Sequence, residues 1–164
     1  MTQIIVEDDF LPETVYWSLA NLYEKNTTRD VKRHIFEYDP TPQIAKYIDR
    51  FIETRPYIKL GKFIHTASTP PNFNHPVHDE ADFKIMSAIV YIAPKESHGT
   101  TFYLDKKYEV EWKPNRMMVF CGKSGVTWHD YKSLSETRLT YNYFLVDPTK
   151  IENETYKNNI LRMR

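Results

Sequence analysis

A single cysteine, Cys121, stands among 164 residues. The chain therefore has no internal disulfide and is not a stapled secreted scaffold. It has no excess of either charge, since 22 basic and 22 acidic side chains cancel. That balance argues against a protein built mainly to grip nucleic acid. No apolar run approaches the ~18 residues that a membrane-spanning helix needs. The first ten residues, MTQIIVEDDF, turn acidic after a short apolar stretch, unlike a secretory signal. An intracellular, cytoplasmic protein is expected, and the glycosylation sequons at Asn26 and Asn153 are read as chance. Glycine is scarce, with 4 in the chain. The run Gly122-Lys123-Ser124 looks like the end of a phosphate-binding loop, but Met117 stands where the first glycine is needed. No repeat, low-complexity tract or linker interrupts the sequence.

What is present is material for a core. Hydrophobic residues make up 41% and aromatic residues 15% of the chain, too much for a disordered protein and, at this length, enough for one domain over 1–164. Residues 2–7 read as a short strand. A helix follows with Pro12 in its first turn and an apolar stripe of Leu11, Val15, Leu19, Leu22 and Tyr23. A second helix is capped by Thr41 with Pro42 at its first position, and Ile44, Tyr47, Ile48, Phe51 and Ile52 recur at helical spacing. Each helix has one apolar face, so both are expected to brace something from outside; residues 1–56 form this helical support. From 57 onward short β-branched and aromatic runs alternate with turn signals. Strands are expected at 57–67, 77–80, 84–92, 100–104, 107–112, 116–121, 126–129 and 137–146. This spacing fits a mainly β sandwich or jelly roll over 57–146 rather than a parallel α/β sheet. Residues 147–164 read as a polar tail.

There are six histidines, five of them between His65 and His129. In His78-Asp79-Glu80, positions i and i+2 of a strand face the same way, so an imidazole and a carboxylate lie side by side. A later histidine, His129 in Thr127-Trp128-His129-Asp130, would complete the two-histidine, one-carboxylate set of non-haem iron(II) oxygenases. His75 is the rival ligand. Three residues before His78, it would face the other way within one strand, and beside Pro76 it reads as a loop residue. His34, His65 and His98 lack an acid two residues on and read as ordinary, partly exposed histidines. Cys121 reads as a buried thiol without a catalytic partner.

The strand Arg138-Leu139-Thr140-Tyr141-Asn142 puts Arg138, Thr140, Asn142 and Phe144 on one face and Leu139, Tyr141, Tyr143 and Leu145 on the other. If the polar face is interior, a bound dicarboxylate would satisfy its guanidinium in a two-pronged contact. If the aromatic face is the core, Arg138 is solvated; the sequence leaves both open. Tyr91 shares a strand face with Ile85, Ser87 and Ile89. A buried tyrosine needs a hydrogen-bond partner, with core packing the plainer alternative.

The order HDEADFK (78–84), SAIVYIAP (87–94), GTTFY (99–103), WKPNRMMVF (112–120), TWHDY (127–131) and RLTYNYF (138–144) resembles the iron(II)- and 2-oxoglutarate-dependent dioxygenases. The prolyl 4-hydroxylase-like branch is the most similar, over about residues 60 to 146. The resemblance implies a double-stranded β-helix with the N-terminal helices packed on one sheet. It implies iron(II) held by His78, Glu80 and His129. The distal carboxylate of 2-oxoglutarate would pair with Arg138, with Thr140 beside it and Tyr91 donating to it. Glu80 departs from the usual aspartate, and Asp79 has the wrong parity to replace it. The implied reaction consumes dioxygen, with ascorbate as a reductant, releases succinate and carbon dioxide, and hydroxylates a peptide, prolyl residues included, or a small molecule. The loop 66–76, rich in proline and asparagine, would border the pocket mouth. A non-catalytic jelly-roll binding protein and a dioxygenase acting on nucleic-acid bases are the other readings; zero net charge speaks against the second.

Overall fold

The computed structural model describes residues 4–26, 34–36, 42–52, 60–122 and 124–154. Its elements run β1 (Ile5–Glu7), α1 (Glu13–Asn26), β2 (His34–Phe36), α2 (Pro42–Ile52), β3 (Gly61–Thr69), β4 (Asn74–His78) and β5 (Lys84–Ala93). They continue with β6 (Thr100–Tyr103), β7 (Lys107–Val110), β8 (Met117–Cys121), β9 (His129–Lys132) and β10 (Arg138–Val146). A six-stranded sheet has the order β1-β8-β5-β10-β3-β2, and a four-stranded sheet the order β4-β9-β6-β7. The strand pairings are antiparallel. This is the jelly-roll sandwich expected from the strand spacing. Among the described residues no helix is long and apolar enough to cross a membrane.

The helices pack on the outer face of the larger sheet. Leu11, Leu19, Ile44 and Ile48 join Val90, Ile92, Met117, Val119, Leu139, Tyr141 and Tyr143 in one apolar cluster. Ile44 and Ile48 are fully buried, as their helical spacing requires. The Tyr143 hydroxyl donates to Asp49 Oδ1 at 2.6 Å, tying α2 to the sheet. The Tyr16 hydroxyl does the same for α1, donating to the Ile92 carbonyl at 2.8 Å. Asn115, at φ 62°, is a residue type that tolerates the left-handed region. Its side chain accepts from Leu11 N and donates to Leu11 O, both at 2.9 Å, so the lead-in to α1 is fixed to the β7–β8 turn. The Leu22 and Tyr23 side chains, and Thr41, lie outside the described residues, as does the tail beyond 154.

The inner faces of the two sheets enclose a second cluster of Tyr91, Phe102, Val110, Met118 and Phe120. Strand β10 is central, and all nine of its residues are buried. Neither sequence reading of Arg138 holds alone. The aromatic face is core under the helices, and the Arg138 face is also interior, because the smaller sheet covers it. β10 keeps a polar–apolar alternation although both of its faces are covered, so alternation along this strand does not report exposure.

Three boundaries differ from expectation in ways that matter for the site. β4 runs from 74 to 78, not 77 to 80, so the proposed mouth loop shrinks to 70–73. That turn is held by Asn72 N on Leu134 O at 2.7 Å and Phe73 N on Ser133 Oγ at 2.9 Å. β9 begins at His129 instead of ending there. The start of the tail is not loose: a 3-10 turn, Pro148–Lys150, is capped by Asp147. Ile151 then buries itself near Phe63, Phe83 and Phe144. The short β2 gave no sequence signal of its own, since three residues carry no periodicity.

Candidate active site

A cavity of about 410 Å³ opens between the sheets. His78, His129 and Tyr131 reach it from the smaller sheet, and Arg138, Thr140 and Asn142 from the larger. Glu80 and Lys84 enter from the β4–β5 connection and the first residue of β5.

His78 and His129 are directly paired across β4 and β9, with ring centroids 4.3 Å apart at 53°. His78 Nδ1 lies 3.0 Å from the Pro76 carbonyl, and His129 Nδ1 lies 2.8 Å from that of Thr127. A carbonyl only accepts, so these contacts place the proton on Nδ1 and leave each Nε2 with its lone pair. That is the second-sphere pattern of metal-ligating histidines. The His129 ring is 3% exposed and packed between Phe102 and Phe120. Burial is the main cause holding both imidazoles below the ordinary histidine pKa of 6.5, with the nearby His129 charge adding to the effect at His78.

The sign of the pH dependence follows. As pH falls below 6.5, the unfolded chain protonates these histidines before the folded one does. Their contribution therefore leaves stability flat above 6.5 and erodes it as pH falls towards the depressed folded values. Urea melts from pH 8 to pH 5 are expected to show a falling midpoint below 6.5. The fall should be shallower in a His78→Asn/His129→Gln double variant; equal slopes would contradict the assignment.

Glu80 lies beyond the end of β4, yet its side chain is buried, 6% exposed. Oε1 accepts from Ser87 Oγ at 2.8 Å, and Oε2 is ion-paired with the Lys84 ammonium. A buried carboxylate needs such compensation. In this arrangement no three His, Cys, Asp or Glu side chains among the described residues converge tightly enough to cage an ion. Two imidazoles present lone pairs, while the carboxylate in the same cavity is turned to Lys84. Asp79 is committed elsewhere: its Oδ2 accepts from Gly125 N at 2.6 Å and Ser124 Oγ at 3.0 Å. Those hydrogen bonds lower its pKa.

His75 belongs to β4 rather than to a loop, and it does not face away. The β4–β9 register shifts between His75 and His78. A bulge of this kind resets the alternation of side chains. The two rings end up 4.2 Å apart, and His75 stacks on Tyr131 at 4.6 Å. His65, expected to be partly exposed, is buried, since β3 pairs it with Asn142 on the interior face of β10. His98 is exposed, as expected. Cys121, expected to be buried, is half-buried at the end of β8.

Arg138 is 3% exposed and framed by rings. Its guanidinium carbon lies 4.6 Å from the Tyr131 centroid, 4.9 Å from Trp112 and 5.2 Å from Tyr91. Its Nη2 donates to Thr100 Oγ1 at 3.5 Å. The Tyr91 hydroxyl donates to Thr100 Oγ1 at 2.8 Å, and the Tyr91 ring stacks on Trp112 at 4.4 Å. Burial raises the Tyr91 pKa, keeping it a neutral donor. Tyr91 thus stands behind Arg138, separated from the cavity by Thr100. Thr140 and Asn142 continue along the same wall, and Asn142 Nδ2 is buried without a hydrogen-bond partner among the described residues. Lys84, Thr100, Trp112 and Tyr131 escaped the sequence reading. Only Lys84 carried a signal, a cation four residues after Glu80, a spacing that reads as a pairing on a helix.

No protein-family model matches this sequence, and no curated protein matches it. Solved structures do. A prolyl hydroxylase from Trichoplax adhaerens, in complex with a hypoxia inducible factor oxygen degradation domain peptide fragment, superposes with a TM-score of 0.72 at 13% identity, covering 89% of this chain and 84% of that one. The viral collagen prolyl hydroxylase from Paramecium Bursaria Chlorella virus-1, in its 2OG complex, gives 0.69 at 16% identity over 87% and 94%. An oxidoreductase of the 2OG-Fe(II) oxygenase family from Burkholderia pseudomallei gives 0.63 at 10% identity over 88% and 84%. The chain therefore has the fold of the 2-oxoglutarate–iron(II) oxygenases. Within that fold class, its structural likeness runs to prolyl hydroxylases.

Proposed function

We propose that this protein is an iron(II)- and 2-oxoglutarate-dependent dioxygenase that hydroxylates a peptide, with prolyl residues as the first substrates to test. The observation that carries this reading is the His78–His129 pair. Both imidazoles line a cavity that also holds a buried carboxylate and a buried guanidinium, and each is tied through Nδ1 to a backbone carbonyl, which leaves its Nε2 for a ligand. Two imidazoles and a carboxylate are the donor types that suit iron(II); His78, His129 and Glu80 would hold it once the Glu80 carboxylate turns from Lys84. When bound, iron and 2-oxoglutarate with dioxygen supply an oxidative decarboxylation to succinate and carbon dioxide coupled to C–H hydroxylation.

The chain's own residues do the rest. Arg138, fixed by three rings and Thr100, would fork onto the distal carboxylate of the cosubstrate, and Tyr91 holds that Thr100 in place. Thr140 would lie beside the same carboxylate. Asn142 Nδ2, buried and without a partner among the described residues, has a hydrogen bond to give to a bound ligand. Phe102 and Phe120 keep water from the His129 side. The Glu80–Lys84 pairing favours a second reading, a jelly roll that binds a partner without metal.

Succinate release from the purified chain with iron(II), ascorbate and 2-oxoglutarate, alone and with proline-containing peptides, separates the two. The dioxygenase reading expects succinate that disappears on omission of iron. No succinate under any of these conditions would leave the binding protein as the better account.

A further inference from the structure

We propose that Lys84 is a built-in counter-ion that competes with the metal for Glu80, so that loading the site requires displacing the Lys84 ammonium from that carboxylate. This inference rests on the metal-binding reading above. The tight turn between β4 and β5, in which Lys84 N donates to the Ala81 carbonyl at 2.8 Å, brings the two side chains together. Both are largely buried, with side-chain exposures of 17% for Lys84 and 5% for Glu80. The ammonium also lies 3.8 Å from the centroid of the Phe144 ring, a cavity wall residue. It is thus held at the site by two different contacts, and the ring remains when the carboxylate is withdrawn. Ser87 occupies the other carboxylate oxygen, so the oxygen facing Lys84 is the one whose cation can be exchanged.

The energetics predict a sign. In the metal-free protein, Lys84 neutralises a carboxylate that would otherwise be a buried, uncompensated charge. In the loaded protein, the same ammonium lies near a dication and repels it. Removing Lys84 raises the free energy of the metal-free state and lowers that of the loaded state, and both changes tighten metal binding. A residue that merely orients Glu80 behaves oppositely, because loss of an outer-sphere partner weakens metal affinity by about 10- to 100-fold.

The test is calorimetric titration of the full chain with manganese(II), a redox-stable stand-in for iron(II), without cosubstrate. The wild type is compared with Lys84→Met, Lys84→Arg and His129→Gln. Lys84→Met is expected to bind manganese roughly 5- to 150-fold more tightly, the usual range for coupled sites. Lys84→Arg, which keeps the charge, is expected to stay close to wild type. If the methionine variant does not fold, Lys84→Gln serves in its place, with metal-induced shift in melting temperature as the second readout. Unchanged or weaker binding by the uncharged variants overturns the proposal while leaving the metal site intact. Binding that is absent throughout, or that survives unchanged in His129→Gln, overturns the metal reading itself and the proposal with it.

Discussion

Replacing Arg138 with leucine is expected to raise the 2-oxoglutarate concentration needed for half-maximal turnover by roughly thirtyfold or more. The estimate follows from the 2–5 kcal/mol that truncating one partner of a buried charged hydrogen bond typically costs, at about 1.4 kcal/mol per tenfold. The site is built for this loss to be specific. Arg138 is enclosed by Tyr91, Trp112 and Tyr131, and Lys84, the other Lys or Arg lining the cavity among the described residues, is paired with Glu80. The leucine variant loses its cation–π contacts, each worth about 0.5–2 kcal/mol, and a urea melt reports that cost separately. Lysine at this position keeps the charge but loses the planar fork, and an intermediate requirement is expected. Turnover at saturating 2-oxoglutarate should fall much less than affinity does. A requirement unchanged in the leucine variant would remove Arg138 from the cosubstrate site.

His129→Ala is expected to abolish metal-dependent succinate release, with a loss greater than the roughly 100-fold that removing an outer-sphere partner costs at a metal site. Alanine also leaves a void between Phe102 and Phe120. A loss of about 2–4 kcal/mol of stability is expected from that void, so the activity loss needs a control. His129→Gln fills more of the space without supplying an imidazole. The metal reading expects both variants to be inactive and the glutamine variant to be the more stable. Activity retained in His129→Gln would mean that the imidazole holds no metal.

The architecture was legible where residues repeat at a fixed period. Ile44, Tyr47, Ile48 and Ile52 announce α2, and 84–92 anticipates β5 almost to the residue. The chain also put Arg138, Thr140 and Asn142 on one strand face. It could not say that a second sheet covers that face, because coverage is a property of the assembled layers. His75 was misplaced for a local reason: parity along a strand assumes an unbroken register, and β4 breaks it between His75 and His78. Glu80 was singled out by its distance from His78, yet the strand that justified the distance ends at His78. The turn, not the pleat, delivers the carboxylate. Lys84 stands four residues after Glu80, a spacing that pairs side chains on a helix but carries no such meaning where a turn enters a strand.

The order of strands in the larger sheet, β1-β8-β5-β10-β3-β2, has a kinetic corollary. Partners in it are distant along the chain, as with β1 against β8 and β10 against β3. Such pairings close large loops before they gain contact energy, so jelly rolls of this kind belong among the slower-folding domains. The cavity needs β4, β9 and β10 together, and β10 follows every other described strand along the chain. A nascent chain lacking it has neither the Arg138 wall nor the centre of its larger sheet. On the proposed reading, ligand can be held only once synthesis has passed β10, and products truncated before β10 should be inert rather than partly active.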